Sequence, residues 1–384
     1  MKIGILTHYY GSNNYGGVLQ AYALTAYLRK KGYDAEQICY KQVETPFISY
    51  DSVSSAQIVS PVQNEKSEQP LLHEKKGVFN RIRNSLYFRL VENPKRKEIK
   101  KYRDTYLPER IQRFTEFKNM IPHSSDCYDI TTISDANDYD CYITGSDQVW
   151  SFKWFNPAFF LEPFSNQKKK IAYAASAGKS EFEPEEKDYL KKVLPTFDSI
   201  SVREADLVSA YTDCADGIHP QWVLDPVFLL DRQEWDAVSS KRLVRGKYIF
   251  AYFLGNDREA MSLAKEYAKK THRKLVVIPF ARGIYSIGNR EMYDLTYGDR
   301  RIDLAAPPDF ISLIKYADCV ITDSFHATAF SIIYRKNFFF IFRRKNKLIC
   351  RKPFCIFLDK NSLFYNIPSF FRSQKRINYR ITIR

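Results

Sequence analysis

The 384-residue sequence has no run of 18 uninterrupted apolar residues, which excludes an ordinary membrane-spanning helix. It has no Cys-x-x-Cys pair either. Its seven cysteines (39, 127, 141, 214, 319, 350 and 355) are odd in number and scattered, so they read as reduced thiols and not as a zinc site or a disulfide framework. No metal is expected. The N-terminus, "MKIGILTHYY", has one lysine and an apolar run too short for a secretory signal, and a cytoplasmic location is the expectation that follows. No internal repeat is visible.

The largest gap in composition is at the end. From Phe342 to Arg384 there is no Gly, Ala, Val or Glu and a single acid, Asp359. Average usage would place on the order of a dozen Gly, Ala, Val, Glu and Asp residues there. All five have codons beginning with G, so the missing class is a nucleotide class. The tail from about 346 to 384 is therefore read as an atypical basic segment translated in a shifted frame. It also explains the charge: the segment carries 12 Lys/Arg and +11 of the chain's +15, leaving +4 for the rest. A non-catalytic nucleic-acid or membrane-surface binder remains a competing reading, and deleting 346–384 separates it, since such a binder loses its affinity. No nucleic-acid partner is expected.

What is present is an α/β rhythm. The length exceeds what one core usually fills, so two domains are expected. Lys2–Thr7 reads as a strand, followed by the polar loop "HYYGSNNYGG", a helix over "VLQAYALTAYLRKKG" closed by lysines and Gly32, and a second strand, "YDAEQICY". Residues 44–127 break the rhythm. Their first part is polar and Pro/Ser-rich and the part after Val78 is charged and helical, which reads as an insertion, mobile over 51–77. Alternation resumes through "DYDCYITGSDQVW", "KKKIAYAASAG", "FDSISVREAD" and "QWVLDPVFLL", completing a first domain over 1–235. A second domain over 246–345 contains "KYIFAYFLG", "KLVVIPF", "DCVIT" and "NFFFIF" as strands. The fold expected is α/β, with two Rossmann-like domains facing a cleft.

Four loops at strand ends carry residues suited to chemistry. Asn14, Gly16 and Gly17 precede a helix, where small residues admit a ligand to the backbone and the helix start favours an anion. The loop is not Gly-x-Gly-x-x-Gly. Ser146 and Asp147 follow an apolar strand. Asp147 can orient a sugar hydroxyl or act as a base and Trp150 can stack on a sugar face; equally, Ser146 or Asp147 can cap the next segment and Trp150 can be core. Arg203 ends another strand, placed to bind carboxylate or phosphate or to pair with Glu204. In "TDSFHATAF", Asp323 or Ser324 can cap a helix. His326 in its first turn feels the positive end of the dipole and can trade a proton with an anionic substrate.

In order along the chain, "NNYGGVLQAYAL", "DCYITGSDQVW", "KIAYAASAG", "SVREADLV", "VLDPVFLL" and "YADCVITDSFHATAFSIIY" resemble the polysaccharide pyruvyl transferase family, from Met1 to about Arg344. The resemblance implies a GT-B-like fold. It implies transfer of the enolpyruvyl part of phosphoenolpyruvate, as donor substrate and without a cofactor, to two hydroxyls of a sugar in cell-surface polysaccharide synthesis. The product is a cyclic ketal, and phosphate is released. The methylene carbon is protonated, one hydroxyl attacks the oxocarbenium-like centre and the second displaces phosphate. His326 matches the family's histidine, as general acid, and Arg203 its arginine, holding the donor. The partners implied are phosphoenolpyruvate and a saccharide or lipid-linked saccharide, with peripheral membrane association through the latter. Members of the family often carry an arginine where this chain has Ser324, so a phosphate contact is either missing here or supplied by another residue, such as Arg282 or Arg290. The competing enzyme reading is a nucleotide-sugar-dependent GT-B glycosyltransferase using the same cleft.

Overall fold

In the computed structural model the residues described are 1–42, 93–255, 257–279, 297–341 and 355–358. Residues 51–77, Arg282, Arg290 and most of the basic tail lie outside them.

The first sheet is built from β1 (Lys2–Leu6), β2 (Asp34–Tyr40), β3 (His123–Tyr128), β4 (Cys141–Thr144), β5 (Lys169–Ala175), β6 (Ser199–Val202) and β7 (Gln221–Trp222). All are parallel, in the order β3-β2-β1-β4-β5-β6-β7. The second is built from β8 (Tyr248–Tyr252), β9 (Lys274–Val277), β10 (Arg300–Arg301), β11 (Cys319–Thr322) and β12 (Asn337–Ile341), with β13 (Cys355–Leu358) added antiparallel at its edge. Its order is β10-β9-β8-β11-β12-β13. Both are doubly wound sheets whose strand order reverses once in the interior, between β1 and β4 and between β8 and β11. Ligands of such sheets bind outside the carboxyl ends of the strands at that reversal. β4, β8 and β11 are buried along their whole length, as strands covered on both faces must be, and this is why they read as unbroken apolar runs.

The helices that matter are α1 (Tyr15–Lys30), α2 (Asn93–Lys101), α3 (Leu107–Lys118), α4 (Pro184–Val193), α5 (Asp206–Thr212), α6 (Arg232–Val238), α7 (Arg258–Lys270), α8 (Pro307–Tyr316) and α9 (Phe325–Ile333). Asn14 caps α1 by accepting from the Gly16 N–H, and Gly32 follows its end at φ +87°. The sequence gives α1 one apolar face; the structure buries nearly all of Tyr15–Leu28. One side lies on the first sheet and the other meets α8, α9 and the Pro226–Leu229 turn, so α1 is a central helix between the domains.

Two readings of the sequence need correction. Residues 44–127 are not simply an insertion, because β3 is the outer strand of the first sheet. α2 and α3, joined by a π-helical turn at Tyr102–Tyr106, pack on the second domain: Ile99, Tyr102 and Leu107 lie among Ile249, Ala251 and Leu275. Arg110 is buried with three bonds to neutral oxygens, from Nη1 to Tyr102 Oη and Pro279 O and from Nη2 to Tyr15 Oη. Arg113 bonds Asp309 at 2.9 Å and the Leu304 carbonyl. The tail, given no element from its composition, contributes β13.

Candidate active site

The loops after β1, β4, β6 and β11 meet where the two strand reversals face each other, and Asp225 lies at the centre of that junction. Val223 and Leu224 lead from β7 to Asp225, which the following Pro226 holds in extended backbone. There Asp225 caps the Pro226–Leu229 turn, its Oδ1 accepting from the Val227 N–H at 3.1 Å. Its Oδ2 is 2.9 Å from Ser146 Oγ, 3.2 Å from Arg203 Nη1 and 3.6 Å from His326 Nε2. Burial alone pushes this carboxyl up. The His326 ring, the Arg203 guanidinium and the Val227 N–H outweigh that and hold it below the usual carboxylate range.

Arg203 is a buried cation facing three acids: Nε is 3.0 Å from Glu204 Oε1, and Nη1 is 3.2 Å from Asp225 and 3.9 Å from Asp147 Oδ1. Desolvation works against its charge, but Glu204, Asp225 and Asp147 more than compensate, so its pKa is raised. Its guanidinium lies over the Phe325 ring, 4.4 Å from the centroid. The pairing with Glu204 therefore exists, between a buried guanidinium and a part-exposed carboxylate. The surplus of carboxylate over guanidinium is the main electrostatic feature of the site.

His326, buried in the first turn of α9, reaches this group from the other domain. Its ring packs on Gly16: a Cβ at Gly16 would fall 2.0 Å from Nδ1. Only glycine lets the first turns of α1 and α9 approach so closely. Gly17 is against the His8 carbonyl, and a Cβ there would lie 3.4 Å from Asp147 Oδ2. Asp147 stands at φ +70°, a conformation that non-glycine residues hold only when their surroundings impose it. Its Oδ1 accepts from the Gln148 N–H at 2.9 Å. Gly145 before it, at φ +109°, has no room for a side chain, since a Cβ would fall 2.3 Å from the Tyr173 carbonyl.

The structure thus brings together His326, Asp147, Arg203, Gly16 and Gly17, and places the other candidates in supporting roles. Asn14 is the cap of α1 and Ser324 the cap of α9, its Oγ accepting from the Ala327 N–H. Ser146 is wholly buried; its N–H bonds Gln20 Oε1 and its hydroxyl faces the Ala174 carbonyl and Asp225, so it offers a substrate nothing. Trp150 is a correction. It is fully buried, stacked on Phe160 at 5.4 Å, with its indole N–H on the Phe159 carbonyl, and no sugar face can reach it. Trp150→Ala is expected to cost about 3–5 kcal/mol of stability in urea unfolding; unchanged stability with lost acceptor affinity would return it to the site. Asp225 had no role in the sequence reading. Its signal was an acid in the otherwise apolar "VLDPVFLL". Among the described residues no group of three or more His, Cys, Asp and Glu is placed to hold a metal ion.

This junction lies within residues 14–342, which match the family model described as polysaccharide pyruvyl transferase. The chain belongs to that family. The family is one of transferases, and it implies a saccharide acceptor. No curated protein matches the chain significantly. Among solved structures it is similar to a UDP-GlcNAc 2-epimerase from Methanocaldococcus jannaschii, at 11% identity and TM-score 0.44 over 88% of this chain and 83% of that one. It is also similar to the E. coli ADP-heptose LPS heptosyltransferase II, at 10% identity and TM-score 0.35, again over 88% and 83%. This pyruvyl transferase family member has no helix among its described residues long and apolar enough to cross a membrane.

Proposed function

We propose that the protein transfers the enolpyruvyl group of phosphoenolpyruvate to two hydroxyls of a saccharide, closing a cyclic pyruvate ketal and releasing phosphate. The observation that carries the reading is His326, brought by one domain into a group of three carboxylates and one guanidinium on the other. Protonation of the methylene carbon creates a cationic centre, and neighbouring carboxylates stabilise it as it forms. Asp147, partly exposed and facing the glycine loop, takes the proton of the attacking hydroxyl. The donor's own negative charge lies toward the starts of α1 and α9, which meet at Gly16 and His326 and whose dipoles favour an anion.

Ser324 stands where an arginine is frequent in the family, and Arg203 is already engaged by acids. The helix starts therefore take a larger share of the anion than a guanidinium pair would leave them. The test is phosphate release from phosphoenolpyruvate across a panel of bacterial glycans, lipid-linked ones included. Release that depends on one glycan, with pyruvate recovered as a ketal, is the expected result. Turnover of a nucleotide sugar with none of phosphoenolpyruvate would replace this reading by glycosyl transfer.

A further inference from the structure

The two nitrogens of His326 have different surroundings. Nε2 is sealed from solvent, has no hydrogen-bond partner, and has Asp225 Oδ2 3.6 Å away. Nδ1 lies at the other edge of the ring, against Gly16 at the start of α1. A bare lone pair on Nε2 would face a buried carboxylate and be repelled by it; an N–H there would be attracted. The other groups around Asp225 leave it able to act in this way. Ser146, Arg203 and Val227 fix its position, and Arg203 shares its charge with Glu204 and Asp147.

We infer that Asp225 is a positioning residue that keeps a proton on Nε2 of His326, so that Nδ1, beside Gly16, is the atom that exchanges a proton with the substrate. The separation of 3.6 Å is beyond a hydrogen bond. The two residues belong to different domains, and hydrogen bonds of unliganded active sites often tighten only in the complex. A shortening of about half an ångström on substrate binding would bring this one within range. Which ring nitrogen carries the proton is set by the bond the other makes.

The use of that proton rests on the function proposed above. With both ring nitrogens protonated, the Nδ1–H bond breaks and a C–H bond forms at the methylene carbon. The proton that Asp147 takes from the attacking hydroxyl afterwards returns to Nδ1, and the proton of the second hydroxyl leaves with phosphate. Where the proton sits does not rest on that function, which keeps the two ideas separable.

The experiment is a long-range nitrogen–proton spectrum of the full chain labelled with ¹⁵N-histidine, with the His326 ring assigned among the six histidines by its loss in His326→Gln. Neutral His326 is expected to show a pyrrole-like Nε2 and a pyridine-like Nδ1. Asp225→Asn is expected to mix the two forms and to lower kcat about 10²–10⁴-fold with the donor KM nearly unchanged. A protonated Nδ1 with a bare Nε2 in the parent protein, or an unaltered ring signature in Asp225→Asn, would overturn the inference. If that variant fails to fold, the parent spectrum still decides, and Ser146→Ala, which loosens the carboxylate while keeping it, should broaden the ring signals. The expected signature without turnover of phosphoenolpyruvate would count against the function alone; turnover with the opposite signature would count against this inference alone.

Discussion

His326→Gln is expected to lower kcat by about 10²–10⁴-fold while changing the donor KM little, because it removes a proton donor used in the transition state and leaves the rest of the cleft in place. Glutamine fills much of the space above Gly16, so the contact between α1 and α9 survives and the unfolding midpoint should stay close to that of the parent. Steady-state kinetics on the true donor and acceptor, with a melting curve beside them, make the check. Full activity would remove His326 from the chemistry. A large rise in donor KM with kcat preserved would make it a binding residue.

Arg203→Ala is expected to act first on stability. The guanidinium is the cation against which Asp225 is buried, and it faces Glu204 and Asp147 as well. Taking one partner from a buried ion pair leaves an uncompensated charge, at a cost of about 3–5 kcal/mol. From the sequence alone a strong rise in donor KM is the expectation; with three carboxylates around the guanidinium, loss of folded protein comes before it. Urea unfolding of Arg203→Ala and Arg203→Lys separates the two. An alanine variant as stable as the parent but with a much raised donor KM would restore Arg203 to the donor's anionic groups.

The architecture was legible because its signals are local. Unbroken apolar strands, Ser324 as a cap, and Gly32 after α1 are each read from a few neighbouring residues, and the order of the loops places them at the strand ends. The site was legible only in part. His326, Arg203 and Asp147 stand out as polar residues at the ends of apolar strands. What they do depends on partners far along the chain, such as Asp225 beside Ser146 and His326, or Gly16 beneath the ring. Trp150 misleads because an aromatic residue just after a polar loop has the same local sequence whether it faces a ligand or the core. The helices of Asn93–Lys118 were read as charged and detached because the apolar side chains that dock them, Ile99, Tyr102 and Leu107, are few, and their partners lie far downstream in the chain.

That docking has a consequence for how the chain is made. On the ribosome, α2 and α3 emerge before most of the first sheet and long before β8 and β9, the strands they cover. Until residues beyond 277 have left the exit tunnel, Ile99, Tyr102 and Leu107 have no native surface to meet, and Arg110 has no Pro279 carbonyl to bond. The N-terminal half therefore cannot complete its folding as an independent unit during synthesis. It waits, partly exposed, for the C-terminal half, and a fragment ending near 240 should be held by chaperones or degraded where the longer chain is not.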